Sequence, residues 1–168
     1  DHMGQKNFSD LKIPFSCLAT DLRTGEGIIF REGPVAIAAR ASATIPGVFK
    51  PVEYRQRFLV DGGLIDNLPI DIVQSHDQKT LIIGVLPTAE KPVSDEFKVF
   101  RTMVRAVEIQ KNGVINVSKQ KANWLIEPNV GNMSIVDLSK VKESIEAGVI
   151  ATRNKVFDLK LKILKESQ

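Results

Sequence analysis

Histidine and cysteine are nearly absent from this chain, which holds two His and one Cys in 168 residues. A single cysteine excludes an intrachain disulfide and a cysteine metal cluster, and it leaves the redox compartment open. Cys17 lies in an apolar run with Phe15, Leu18 and Ala19 and reads as an inert buried thiol, because free cysteine behaves as a small hydrophobe. His2 sits in the opening Asp1, His2, Met3, which resembles an expression-tag remnant, so residues 1–7 are set aside as remnant and lead-in. His76, near Ser75 and Asp77, reads as a surface or helix-end residue. Long apolar runs are also missing. None approaches the roughly 18 residues that would cross a bilayer. Aromatic residues make up only 6%, and the Lys and Arg behind the net charge of +3 are dispersed among acidic residues. That pattern lacks the aromatic interleaving of a single-strand binder, so nucleic acid is not an expected partner. No Gly-x-Gly-x-x-Gly occurs, and nucleotide binding is not expected, although Gly62 and Gly63 before a helix could in principle face a phosphate.

What is present is an ordinary globular composition, 43% hydrophobic and 26% charged. This excludes disorder, collagen and coiled coil, and the length suits one domain. The chain opens with an apolar strand from Phe15 to about Thr20, turns at 21–25 and returns through residues 27–30, which predicts a hairpin. Pro34 stands at the start of an Ala-rich helix running from Val35 to Thr44, and Pro46 and Gly47 end it. Residues 57–60 form a brief buried strand that delivers Asp61 at its end, and Gly62 and Gly63 break it. Asn67 is the predicted cap of a helix with Pro69 near its first position and Ile70, Ile72 and Val73 in the turn that follows. The near-continuous apolar run at 80–86 reads as a strand buried on both faces of a parallel sheet, so strand, helix and strand predict a right-handed βαβ unit. After a polar loop at 91–95, Phe97, Phe100, Val104 and Val107 share one helix face. A short strand at 123–127 follows. The last helix, from about 138 to 164, carries Leu138, Val141, Ile145, Val149, Thr152, Val156, Leu159 and Ile163 along one stripe. Lys160, Lys162 and Lys165 form its solvated face, with weak attraction to a membrane surface as an alternative.

The richest stretch is LVDGGLIDNLP at 59–69. A carboxylate leaving the end of a sheet strand lies where open α/β folds place their chemistry, and two glycines let the backbone turn and another segment come close. Asp before Gly is also a common turn pair, so the dipeptide alone leaves a structural role open. Asp61, Asp66 and Asp71 recur at intervals of five but lack the ligand spacing of a calcium loop, and no metal site is assigned.

Three blocks in order carry a resemblance to the patatin-like phospholipase family, and to its bacterial esterase-like branch in particular. They are CLATDLRTG at 17–25, AARASATIPGVFKP at 38–51, and the Asp-Gly-Gly element of 59–69 with its Asn-Leu-Pro continuation; ANWLIEP at 122–128 matches more loosely. The resemblance implies a layered α/β fold with a mainly parallel sheet flanked by helices. It also implies hydrolysis of lipid esters by a Ser–Asp dyad in which Asp61 is the base, with no histidine, metal or organic cofactor. Gly62 and Gly63 would then support the turn, and Ile45, Pro46, Phe49, Leu64 and Asn67 would line the acyl pocket. The serine and the oxyanion loop of such enzymes lie in a Gly-x-Ser-x-Gly elbow and an earlier Gly-rich loop. None of the ten serines, including Ser42, Ser94, Ser134 and Ser167, has glycine two positions before and two after. Residues 8–168 are therefore expected to be the C-terminal portion of one catalytic domain, incomplete because its N-terminal part is missing and inactive alone. The expected partners are a lipid or ester substrate, transiently a membrane surface, and other copies of the fragment through exposed sheet edges. The alternative is a truncated, non-catalytic binding or scaffolding module. No targeting signal fixes a compartment; a soluble or membrane-peripheral protein is expected, in the cytoplasm before elsewhere.

Overall fold

Two short connections dictate the first sheet. Cys17–Asp21 (β1) reaches Gly27–Phe30 (β2) through a tight turn, in which the Gly25 N–H donates to the Asp21 carbonyl at 2.8 Å and Gly25 takes φ 75°. Val52–Tyr54 (β3) reaches Arg57–Asp61 (β4) through only Arg55 and Gln56, both left-handed at φ 47° and 62°. Connections this short can join only antiparallel strands. The four strands lie in the order β2-β1-β4-β3, and every pairing is antiparallel. The structure, a computed structural model, describes residues 4–75, 81–89, 99–131 and 138–166. The expectations for His2, His76, Ser94, Ser134, Ser167, Thr80, the loop at 91–95 and the side chains of Phe97, Phe100 and Val104 lie outside the described residues.

The described residues fall into two compact units, one within 1–69 and 105–115, the other within 70–104 and 116–168. In the first, the helix Val35–Ser42 (α1) packs on the sheet through Ala38 and Ala41, which are fully buried. Their small side chains let the helix come close to β1 and β4. Phe8, Ala19, Phe30, Val35, Val52 and Leu59 complete the core. Leu59 is fully buried at its centre, and truncation to Ala there would cost about 2–5 kcal/mol by the usual measure of core cavities. Cys17 flanks this core half-buried, and burial pushes its thiol up to about 11, which leaves it protonated and unreactive at neutral pH.

The second unit contains the parallel pair Ile83–Val85 (β5) and Trp124–Ile126 (β6), joined through the helix Val99–Lys121 (α3). Asn123 Oδ1 accepts from the Ile82 N–H at 2.9 Å and fixes the register. The short helix Ile70–Gln74 (α2) belongs here, with Asp71 bound to Lys121 Nζ at 2.6 Å, and so does Val141–Glu166 (α4), which meets β6.

Mixed α/β structure is thus present, but two expectations change. The strand that ends in Asp61 sits in an antiparallel sheet, so the sheet is not mainly parallel among the described residues: three pairings are antiparallel and one is parallel. The βαβ arrangement joins β5 to β6, not β4 to β5. The apolar pattern at 80–86 anticipated a parallel strand but neither its neighbour nor its burial: Ile83 and Val85 are exposed, so the strand is not buried on both faces. The stripe on α4 is also less buried than its spacing suggests, with Val141, Ile145, Val149 and Ile163 all exposed.

One carboxylate holds the first hairpin. Asp21 is only 2% exposed; its Oδ1 accepts from the Arg23 N–H at 3.1 Å and its Oδ2 from Arg57 at 2.8 Å, while the Leu22 N–H reaches the Phe58 carbonyl. The Arg23 N–H, with the Arg57 guanidinium beside it, outweighs the cost of burial and holds the Asp21 carboxyl below its usual range. A depressed folded value stabilises the fold above the unfolded value of about 3.9 and loses that contribution as pH falls from there through the folded value. Asp21→Asn should therefore lower the melting temperature at neutral pH, and the gap from the parent should close on the acid side of about pH 4. Melting curves across that window check it; a gap independent of pH would contradict the assignment.

Candidate functional site

Asp61 is fixed through its backbone before its side chain is considered. Its N–H donates to the Thr44 carbonyl at 2.8 Å, and its carbonyl accepts from Thr20 Oγ1 at 3.0 Å. Thr44 is itself tied to the end of α1, its Oγ1 donating to the Arg40 carbonyl at 2.6 Å. Ala19 stands opposite Asp61 across the β1–β4 ladder. Helix α1, strand β1 and strand β4 therefore converge on one residue.

After Asp61 the chain enters a single 3₁₀ turn, Gly62–Leu64, and Asp61 caps it: Oδ1 accepts from the Gly63 N–H at 2.7 Å. Among the described residues no group bonds the other carboxylate oxygen, and the residue is half-buried. The carboxylate is thus oriented by one oxygen and open at the other.

The two glycines are demanded by crowding. Neither has positive φ. A Cβ on Gly62 would stand 2.2 Å from the Leu18 carbonyl oxygen of β1, and one on Gly63 would stand 2.0 Å from Asn67 Oδ1 and 3.0 Å from Asp61 Oδ1. Asn67 therefore lies over Gly63, next to the Asp61 carboxylate. Ahead of α2, Asp66 closes an Asx turn instead, its Oδ1 accepting from the Leu68 N–H at 2.9 Å. Residues one apart in such a turn are interchangeable by composition, and only geometry separates them.

The expected pocket residues fall in two segments. Ile45 follows Thr44 directly, so the loop leaves from beside Asp61; the Phe49 N–H returns to the Ile45 carbonyl at 3.0 Å around Gly47, which takes φ 80°. Ile45 is half-buried, Pro46 is exposed, and Phe49 is 54% exposed. Leu64 is half-buried and Asn67 exposed. The first segment is tied to Asp61 through Thr44 and the second through Gly63. Thr20 and Thr44, which hold Asp61, were not singled out in the sequence: both lie inside the family-like blocks, but nothing in their type or spacing marks a hydroxyl as a clamp.

Ser42 ends α1 half-buried and is not bonded to Asp61. Asp61, Asp66 and Asp71 are each engaged separately, by Gly63, Leu68 and Lys121. Among the described residues no group of three or more His, Cys, Asp or Glu is placed to hold a metal ion.

The crowding predicts an asymmetry between the glycines. Gly62→Ala forces a methyl against backbone and should cost about 1–3 kcal/mol, as overpacking does. Gly63→Ala meets the far end of the exposed Asn67 side chain, which can swing into solvent, so it should cost less than about 1 kcal/mol while displacing groups beside Asp61. Denaturant unfolding of both variants checks the order, and equal losses would refute it.

The family profile described as patatin-like phospholipase matches residues 1–73, the part that contains β1, α1, β4 and the Asp61 turn. An uncharacterized NTE family protein of Mycobacterium bovis is 27% identical over 163 residues, 83% of this chain and 28% of the relative. A second uncharacterized NTE family protein, from Mycobacterium tuberculosis, is 44% identical over 70 residues, 42% of this chain and 19% of the relative. The mouse patatin-like phospholipase domain-containing protein 6 is 34% identical over 79 residues, 46% of this chain and 6% of the relative. The chain spans less than a third of the length of these relatives. The segment 1–73 is thus similar to the patatin-like phospholipase family, and the chain is similar to these relatives.

Proposed function

We propose that Asp61 is the base of a Ser–Asp dyad in a lipid acyl hydrolase, and that the serine and oxyanion loop are contributed by another segment of a longer protein. The observation that carries this reading is the state of the carboxylate: one oxygen bound to the Gly63 N–H at 2.7 Å, the other unengaged among the described residues, and the backbone clamped by Thr20 and Thr44. A serine hydroxyl is a weak nucleophile at neutral pH. A carboxylate within hydrogen-bond reach orients it and takes its proton as the oxygen attacks the ester carbonyl; the carboxyl then returns the proton to the departing alcohol, and water releases the fatty acid in a second round.

The Cys17 thiol, held protonated by burial, offers no substitute nucleophile. The loop at 45–49 and the segment at 64–68 flank the acyl chain in this proposal, with Ile45, Pro46, Phe49, Leu64 and Asn67 facing it. Val48 and Phe49, each more than half exposed beside Lys50, would make brief contact with a lipid surface. No helix among the described residues is long and apolar enough to cross a membrane. The whole domain would then be a layered α/β fold completed by the missing segment, and the isolated chain would be inactive and prone to self-association through its open sheet edges.

Asp61→Asn keeps the acceptor for the Gly63 N–H but removes the base. In the full-length protein it should lower kcat on a short-chain ester by about 10²–10⁴-fold, the range for a positioned general base, with KM little changed. Unchanged turnover would sink the proposal. A serine-directed fluorophosphonate should label the full-length protein and leave the 168-residue chain unlabelled.

A further inference from the structure

The end of β4 farthest from Asp61 opens onto a groove of about 550 Å³ at the β3–β4 turn. Three arginines border it, and their charges are not equivalent. Arg57 is already neutralised, at 2.8 Å from Asp21 and 3.4 Å from Glu26. Arg23 and Arg55 have no acidic partner among the described residues, and both are held in place by other means. The Arg23 guanidinium lies 4.6 Å over the Phe58 ring and donates to the Gln56 carbonyl at 3.5 Å; that of Arg55 lies 5.2 Å over the Tyr54 ring. Stacking leaves the edges of a guanidinium, where its N–H groups point, free to meet an anion. Glu53 is the one carboxylate in the lining, so two uncompensated cations face one anion.

The turn itself is unusual. A two-residue connection with both residues left-handed favours Asn-Gly or Asp-Gly, because other side chains are strained there. Arg55 and Gln56 occupy it at φ 47° and 62°. Backbone strain of this kind gathers at ligand clamps, where the side chain delivered matters more than the conformation's cost.

From these observations we infer that the groove is a binding site for a phosphate ester, gripped by Arg23 and Arg55 and lined by Tyr54. Guanidinium forks match the acceptor oxygens of phosphate, and the groove is larger than an inorganic ion requires. The site is independent of the hydrolase reading: Arg57, at its border, lies four residues before Asp61 along β4, roughly 13 Å at the rise of an extended strand. A soluble phosphate ester and a phospholipid headgroup offer the same chemistry.

The test titrates the 168-residue chain with glycerol phosphate, following backbone amide shifts, and separately floats it with vesicles of phosphatidylglycerol or of phosphatidylcholine alone. The expected result is a set of shifts confined to Arg23 and residues 53–58, weakened about tenfold or more in the double variant Arg23→Gln, Arg55→Gln, as for loss of charge-assisted contacts. The paired change Arg55→Asn, Gln56→Gly relaxes the turn and should raise the melting temperature while weakening binding, which separates loss of a ligand group from loss of fold. Binding of glycerol phosphate without flotation identifies a soluble ligand. Flotation on phosphatidylglycerol that both variants abolish identifies a headgroup. Absence of shifts with no flotation, shifts spread away from the groove, or binding unchanged in both variants would overturn the proposal.

Discussion

The approach of Gly62 to the Leu18 carbonyl is the contact on which the site depends. At 2.2 Å from where a Cβ would stand, β1 leaves no room for a side chain, so the chain can turn out of β4 at that point only through glycine. The consequence reaches the residue before it. Because Gly62 can press against β1, Asp61 ends the ladder opposite Ala19, with its carbonyl on Thr20 and its N–H on Thr44. Because Gly63 follows, its N–H is free to orient the carboxylate and Asn67 can lie above it. An alanine at either place would change the aim of Asp61 through a different neighbour: rigid backbone in one case, a mobile amide in the other.

Two aspartates bracket this part of the sheet and are put to opposite uses. Asp21 pairs with Leu59 across the ladder and is almost fully enclosed, both its oxygens taken by the Arg23 N–H and by Arg57. A buried charge is tolerated only when satisfied in this way, and such a group is consumed by the fold. Asp61 is half-buried, with one oxygen bound and the other open among the described residues. The difference is not one of residue type or strand position. It follows from which backbone amides and cations the surrounding turns deliver.

That distinction explains what could be read in advance. The hairpin at 17–30, the Ala-rich helix after Pro34 and the strand ending at Asp61 were legible because short turns, helix formers and apolar runs act locally. The antiparallel setting of β4 was not, because an apolar run does not record its partner; only the two-residue link from Tyr54 to Arg57 could have shown it, and Arg-Gln lacks the composition of such a turn. The Asx turn at Asp66 was hidden for a related reason, since Asp66 and Asn67 are both short polar residues suited to such a turn. Ala38 and Ala41 read as helix formers, yet their larger contribution is to be small against β1. The glycines were read correctly as allowing close approach, although the identity of the approaching atoms could come only from three dimensions.

Strand β4 thereby joins two irregular turns of opposite origin. At its start, Arg55 and Gln56 adopt a conformation that their side chains resist; at its end, Gly62 and Gly63 adopt an ordinary conformation in a place that side chains cannot enter. The first costs backbone energy and keeps two functional groups, and the second gives up side chains and gains proximity. A five-residue strand with Leu59 and Val60 locked in the core is stiff enough to hold both ends in register. The Asp61 carboxylate and the Arg55 guanidinium are therefore held near opposite ends of one buried strand.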